Sequence, residues 1–372
     1  MNPMRTRCFA LAALALMLMQ ISCSLAADEQ STPTPAPYPR SSLIKSLTWH
    51  WETYTNAAIG SDLWPVTWGP DDCLYTAWGD GGGFGGSDTD GRVSMGFARI
   101  EGPPEHWRAF NLNGGKNAQH PASFGQKGKT AGLLYVDGGL YALINLQDGE
   151  WPHVTHALAW STNAGTTWVK APWTWSRETG TLQPATFLNF GKDYRGVPKP
   201  LSGYIYIYGA KIPPGRERVK ELYLLRAPQT QMTEQKSYEY FSGLTESGAP
   251  SWRSDPATAK PVFTDTNGIG TGSAVYAPAL KRYLLAGFHV GPGQLGIFEG
   301  ATPWGPWRTV EYEESWGGMG QAGEGLTCSF PGKWMSKDGL TLWSVFSVYG
   351  GSAKEGIHAH DRFNLIKATL ER

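Results

Sequence analysis

"SDLWPVTWGPDDCLYTAWGDGGGF", residues 61–84, reads as two short strands around a turn, with an aspartate at each outer end. Side chains alternate along a strand, and "GPDDC" (69–73) is rich in the residues that turn a chain. The first strand is expected from Asp62 to Trp68 and the second from Leu74 to Asp80. A Gly-rich loop over 81–91 then leads to a third strand from Arg92 to Ile100. A hairpin centred on Asp71 pairs residues whose numbers total 142, which sets Asp62 opposite Asp80.

Outward from this stretch the same pattern recurs, and little of the chain has helical periodicity. Alternating runs followed by turns appear at 133–146, 156–162, 203–209, 221–227, 282–288 and 340–346. In "GYIYIYG" the tyrosines Tyr204, Tyr206 and Tyr208 share one face and Ile205 and Ile207 the other. One family of similar strands starts at Leu74, Leu140, Tyr204, Tyr283 and Leu342, and a second at Phe97, Ala157, Tyr223, Gly296 and Asn364. Both count five, as an all-β five-bladed β-propeller with four antiparallel strands per blade requires. The last unit ends after its third strand, while "LIKSLTWHWETYT" (43–55) is a strand without a hairpin partner. That segment is expected to close the ring as the outer strand of the last blade. A twin β-sandwich or jelly-roll pair is the alternative architecture. "STNAGTTW" (161–168) matches an Asp box, a structural turn between third and fourth strands.

The N-terminus has the form of a secretory signal over 1–26: Arg5 and Arg7, an apolar run from Phe9 to Met19, and small residues at Ser24–Ala26. Cys23 could alternatively be a lipidated cysteine, although Gln20-Ile21-Ser22 is a poor lipobox. A Pro-rich linker follows over 27–42, and the folded part spans 43–372. The expected location is secreted or periplasmic, with no membrane contact unless Cys23 is lipidated. Without the signal the chain carries 30 basic and 32 acidic residues, so nothing in its charge calls for nucleic acid or an anionic membrane. Cys73 and Cys328 are the cysteines left in the mature chain, too few for a disulfide scaffold or a Cys-based zinc site. They map to opposite ends of their blades, so no disulfide between them is expected. The 17 tryptophans and 47 glycines suit short strands, tight turns and aromatic surfaces that stack on sugars.

Opposed residues of a hairpin have Cβ atoms roughly 4.5–5.5 Å apart. Two carboxylates that close cannot both ionise freely, so one becomes a usable acid while its partner stays a base or nucleophile. Glycoside hydrolysis needs that pair. Asp90, Asp137, Asp148 and Asp338 also precede glycine and read as turns. Asp80 instead precedes a loop of about ten residues, which places it at a strand end. Glu324, ahead of the first strand of the last blade, is the third candidate catalytic carboxylate. Candidate substrate contacts at the same end are Trp64, Trp78, Glu150, His153, Lys211, His289 and Tyr349, with His358 and His360 behind them. No metal set is complete and no cofactor is expected, with a structural ion on the propeller axis left open.

"SDLWPVTW", "LYTAWGDGGGF", "ELYLLRAP", "YEYFSGL", "PVFTD" and "GIFEGATPWGPW" resemble the bacterial five-bladed propellers grouped as domain of unknown function 4185. Some relatives in that family are endo-D-arabinanases. The resemblance spans about 45–370 and implies a glycan-active propeller whose paired aspartates correspond to Asp62 and Asp80. Leu63-Trp64 and Gly81-Gly82 are departures from the arabinanase members, which bears on the substrate. The expected function is an arabinanase-like glycoside hydrolase, a monomer acting on a poly- or oligosaccharide. A non-catalytic carbohydrate-binding propeller is the alternative, and a sialidase a weaker one, since it would want several Asp boxes.

Overall fold

The computed structural model describes residues 35–122, 128–147, 155–213, 219–270, 272–288, 294–319, 323–350 and 354–372. The signal region and the first half of the linker, 27–34, lie outside the described residues, while 35–42 is packed on the fold and not an extended tether: Tyr38 meets Phe263 at 5.1 Å and Ser41 Oγ donates to Glu299 Oε1 at 2.8 Å. Among those described, regular structure is all β, interrupted only by single 3₁₀ turns. No helix among them is long and apolar enough to cross a membrane.

The first sheet is β2 (Asp62–Trp68), β3 (Leu74–Gly79), β4 (Met95–Glu101) and β5 (Arg108–Asn113), preceded in the chain by β1 (Ser46–Ala57). The second is β6 (Gly128–Val136), β7 (Gly139–Leu146), β8 (Thr155–Ser161) and β9 (Val169–Ser176). The third unit runs β10 (Gln183–Asn189), β11 (Tyr204–Ala210), β12 (Glu221–Pro228), β13 (Glu239–Leu244), β14 (Pro250–Arg253) and β15 (Pro261–Thr264). The fourth is β16 (Gly272–Ala277), β17 (Arg282–Gly287), β18 (Leu295–Gly300) and β19 (Trp307–Glu313). The fifth is β20 (Gly323–Ser329), β21 (Thr341–Gly350) and β22 (Phe363–Glu371), completed by β1 pairing antiparallel with β22. A short parallel pairing, Leu188 with Ala274 and Asn189 with Val275, joins the third and fourth units.

The leading strands follow one another around a circuit: β2 packs on β6, β6 on β10, β10 on β16, β16 on β20, and β20 back on β2. The core lies between sheet faces. Tyr75 and Phe97 meet Leu133 and Tyr135 between the first and second sheets, and Trp64 and Trp78 meet Val345, Phe363 and Leu365 between the fifth and first. Each sheet is therefore covered on both faces, which is why Ile205, Tyr206, Ile207 and Tyr208 are all buried.

The third unit departs from four strands. Its outer position is shared, with β13 pairing one end of β12 and β15 the other, and β14 adding to β13. This insertion accounts for the long spacing between the repeats at Tyr204 and Tyr283. The Asp box sits between β8 and β9: Ser161 Oγ accepts the Gly165 N–H at 2.9 Å, and Asn163 Oδ1 accepts the Thr167 N–H at 2.9 Å. Trp168 then stacks on Phe97 of the first sheet, centroids 4.1 Å apart. Cys73 and Cys328 are buried free thiols in separate core clusters.

Because β1 covers the outer edge of β22, and its Trp49 packs edge-on against Trp316 at 5.0 Å, a chain truncated before residue 58 is expected to expose an unpaired edge and self-associate. Size-exclusion chromatography checks this; a monodisperse truncated protein would contradict it.

Candidate active site

The hairpin of β2 and β3 turns as expected near Asp71, with Thr67 opposite Tyr75 and Val66 opposite Thr76. Beyond Val66 the register shifts, so that Asp62 faces Gly79 and Asp80 lies one residue past it. A bulge at Trp64 and Pro65, entered through positive φ at Leu63 and Trp64 (78° and 65°), makes the shift. Asp62 and Asp80 still reach the same strand end, as diagonal neighbours.

Glycine at 79 makes room for this arrangement. A Cβ there would lie 2.4 Å from Asp62 Oδ1 and 2.5 Å from Lys129 Cδ. Asp80 itself holds a left-handed backbone (φ 54°), anchored by its N–H to the Ser94 carbonyl at 3.1 Å. Its carboxylate sits between two cations: Lys129 Nζ is 2.6 Å from Oδ1 and Arg92 Nη2 is 3.3 Å from Oδ2. Arg92 in turn pairs with Asp88.

Asp62 has the opposite environment. Its Oδ1 is buried without a hydrogen-bond partner. Burial pushes its pKa up to about 7; Lys129 pulls against this, and the charges of Asp361 and then Asp80 add to it. Asp361 comes from the turn before β22. Its N–H donates to the Val348 carbonyl at 3.0 Å and its carbonyl accepts the Gly60 N–H at 2.8 Å, which ties it to the turn that leads into Asp62. Its Oδ1 is likewise buried without a hydrogen-bond partner, 3.5 Å from His360 Nδ1; burial raises its pKa, His360 pulls against this, and Asp80 and Asp88 add to the rise. The site thus holds one carboxyl that keeps its proton near neutrality beside one carboxylate neutralised by two cations.

Trp64 and Trp78, expected as substrate contacts, are placed in the core by the structure. Both are fully buried, stacked on each other with centroids 5.7 Å apart, and Trp64 meets Phe363 edge-on at 5.3 Å. Their indole N–H groups donate to the Ser61 and Gly81 carbonyls. Backbone closes tightly on Trp78 from two sides: Gly83 of the Gly-rich loop and Gly96, opposite Trp78 on β4, each lie where a Cβ would meet the Trp78 ring within 2.5 Å. The two indoles, each two residues along the chain from an aspartate, are thus part of the core between the fifth and first sheets. Lys211 follows β11 at the same strand end but on the third unit, with Nζ 4.9 Å from the Tyr223 ring centroid. Glu324 is on β20, its backbone opposite Tyr349. Tyr349 is exposed, with its ring edge-on to His360 at 5.4 Å. Glu150, His153 and His289 lie outside the described residues. Among the described residues no group of three or more His, Cys, Asp or Glu side chains could hold a metal ion.

Lys129, Arg92 and Asp361 were not singled out in the sequence. Lys129 had a usable signal, since it opens the first strand of the second unit, beside the first. Replacing Lys129 with Met is expected to raise the Asp62 pKa, and replacing Asp361 with Asn to lower it. Carboxyl-carbon NMR titration of Asp62 reads both; an unmoved titration in either variant would contradict this assignment of neighbours.

Residues 141–351, more than half of the chain, match the family model described as "Domain of unknown function (DUF4185)", and the chain belongs to that family. No curated protein matches it. Among solved structures, a hydrolase candidate from Bacteroides ovatus aligns with a TM-score of 0.52 at 13% identity, over 83% of this chain and 85% of that one. A GH43_1 enzyme from Xanthomonas citri gives 0.48 at 13% identity, over 86% and 91%. An α-L-arabinofuranosidase from Podospora anserina, solved with cellotriose, gives 0.46 at 11% identity, over 89% and 99%. At 13% identity the likeness to the Bacteroides ovatus structure is one of fold alone.

Proposed function

We propose that the circuit of sheets is a five-bladed β-propeller and that the chain is a secreted glycoside hydrolase of arabinanase type, acting as a monomer on a poly- or oligosaccharide. The observation that carries this reading is the asymmetry of the two first-sheet carboxyls, with Asp62 dry and proton-holding and Asp80 ion-paired to Lys129 and Arg92. Separate environments for two neighbouring carboxyls are how one acts as acid while the other acts as base or nucleophile. Asp62 donates its proton to the glycosidic oxygen as the bond to the anomeric carbon breaks. Asp80 activates the incoming water or attacks that carbon. Lys129, ion-paired to Asp80, also favours the anionic form of Asp62 once it has given up its proton.

The burial of Trp64 and Trp78 takes these two indoles out of any binding surface, and with them one of the features that favoured a purely binding propeller. The single Asp box, a turn far from the aspartates in the second sheet, gives no support to a sialidase. The test is reducing-end release from arabinan, arabinogalactan, fructan and sialoglycan by wild type, Asp62→Asn and Asp80→Asn. Cleavage of a pentose- or hexose-based glycan that either substitution abolishes is the expected result. Cleavage that survives both would overturn the assignment.

A further inference from the structure

Beside the aspartates, where the turn before β2 meets the turn before β22, lies a cleft of about 440 Å³, walled by Ile59, Gly60, Asp88, His358, His360 and Asp361. That volume suits roughly one or two sugar residues. Asp361 is its shared wall with the acid site, since the same carboxyl acts on Asp62. The wall carries both signs of charge, none of them isolated: Asp88 pairs with Arg92, Asp361 Oδ1 lies 3.5 Å from His360 Nδ1, and the Arg362 guanidinium donates to the neutral Asn56 Oδ1 at 2.8 Å. With acid and base both present, the cleft suits a neutral polar ligand, and Tyr349, next to its Gly350 wall, offers that ligand an aromatic face. The Gly350 N–H donates to His360 Nδ1 at 3.0 Å and Asp361 Oδ1 lies 3.5 Å from that same nitrogen, so both protein partners engage Nδ1 and Nε2–H is left to donate to a ligand. The His360 side chain is 52% exposed, and Tyr349, edge-on to it, is 58% exposed.

We propose that this cleft is a subsite for a neutral sugar unit next to the bond that the aspartates cleave, with His360 Nε2–H donating to a ring hydroxyl and Tyr349 covering a C–H face of the sugar. The proposal rests on the hydrolase reading for its substrate class. It is tested by titration calorimetry of a graded series of arabino-oligosaccharides with the Asp62→Asn protein, alone and combined with His360→Ala or Tyr349→Ala. Affinity that rises with chain length, weakens about tenfold in each combined variant, and loses its length dependence there is the expected result. Equal affinity in all three proteins, or no binding of any oligosaccharide, overturns the proposal. Kinetics separates its failure from that of the hydrolase reading. If wild type cuts arabinan and KM is unmoved by His360→Ala and Tyr349→Ala, the subsite fails and the hydrolase stands. If the oligosaccharides bind with the expected dependence but wild type cuts none, the hydrolase fails and the cleft stands as a binding site.

Discussion

Asp62→Asn is expected to lose at least about a thousandfold in hydrolysis while folding more stably than wild type above neutral pH. The two effects share one cause. An unfolded aspartate ionises near pH 4, whereas Asp62 in the fold holds its proton to about 7. Between those values the native state binds more protons than the unfolded one, so this residue lowers stability as pH rises through that window. The penalty is absent below about pH 4 and complete above about pH 7, with a ceiling of about 4 kcal/mol. Asparagine fills the same space without ionising. Urea melts at pH 4 and pH 8 check this: the variant should match wild type at the first and exceed it by about 1–3 kcal/mol at the second. A variant that loses stability at pH 8 would show that the buried carboxyl is better satisfied than its environment indicates.

Trp64→Ala is expected to cost about 3–5 kcal/mol, among the larger losses available to a single substitution in this chain. Trp64 is fully buried at the seam between the first and fifth sheets, in contact with Trp78, Phe84 and Phe363. Removing the indole opens a cavity at the closure of the circuit and frees the Ser61 carbonyl. It also loosens the bulge that aims Asp62. The variant should therefore melt well below wild type, and its activity should fall even where it is folded. If instead stability held and only glycan binding fell, Trp64 would be a surface platform after all, contrary to its burial.

The strands, the turn at Asp71 and the outer position of the 43–55 segment were legible because alternation and turn residues are local signals, and β1 did complete the fifth sheet. The bulge was not legible. Leu63 and Trp64 carry no sequence mark of positive φ, a conformation that disfavours both, and it shifted the expected pairing by one residue. The same local blindness put two buried tryptophans among the candidate substrate contacts. The Trp78 ring is closed over by Gly83 and Gly96, whose missing Cβ atoms let backbone approach it, and a dense run of glycines around a tryptophan is the signal that could have shown it. Lys129 and Asp361 reach the site from the second and fifth sheets, so only the three-dimensional circuit brings them beside Asp62 and Asp80. The site's identity was thus written in one hairpin, while its electrostatics were written elsewhere in the chain.

The most direct test of the account is a crystal structure of the Asp62→Asn protein with an arabino-oligosaccharide bound. The account requires a glycosidic oxygen within hydrogen-bond distance of the residue 62 side chain and the adjoining anomeric carbon facing Asp80. A sugar chain seated elsewhere on the same strand end, such as over Lys211 and Tyr223 in the third unit, would contradict it.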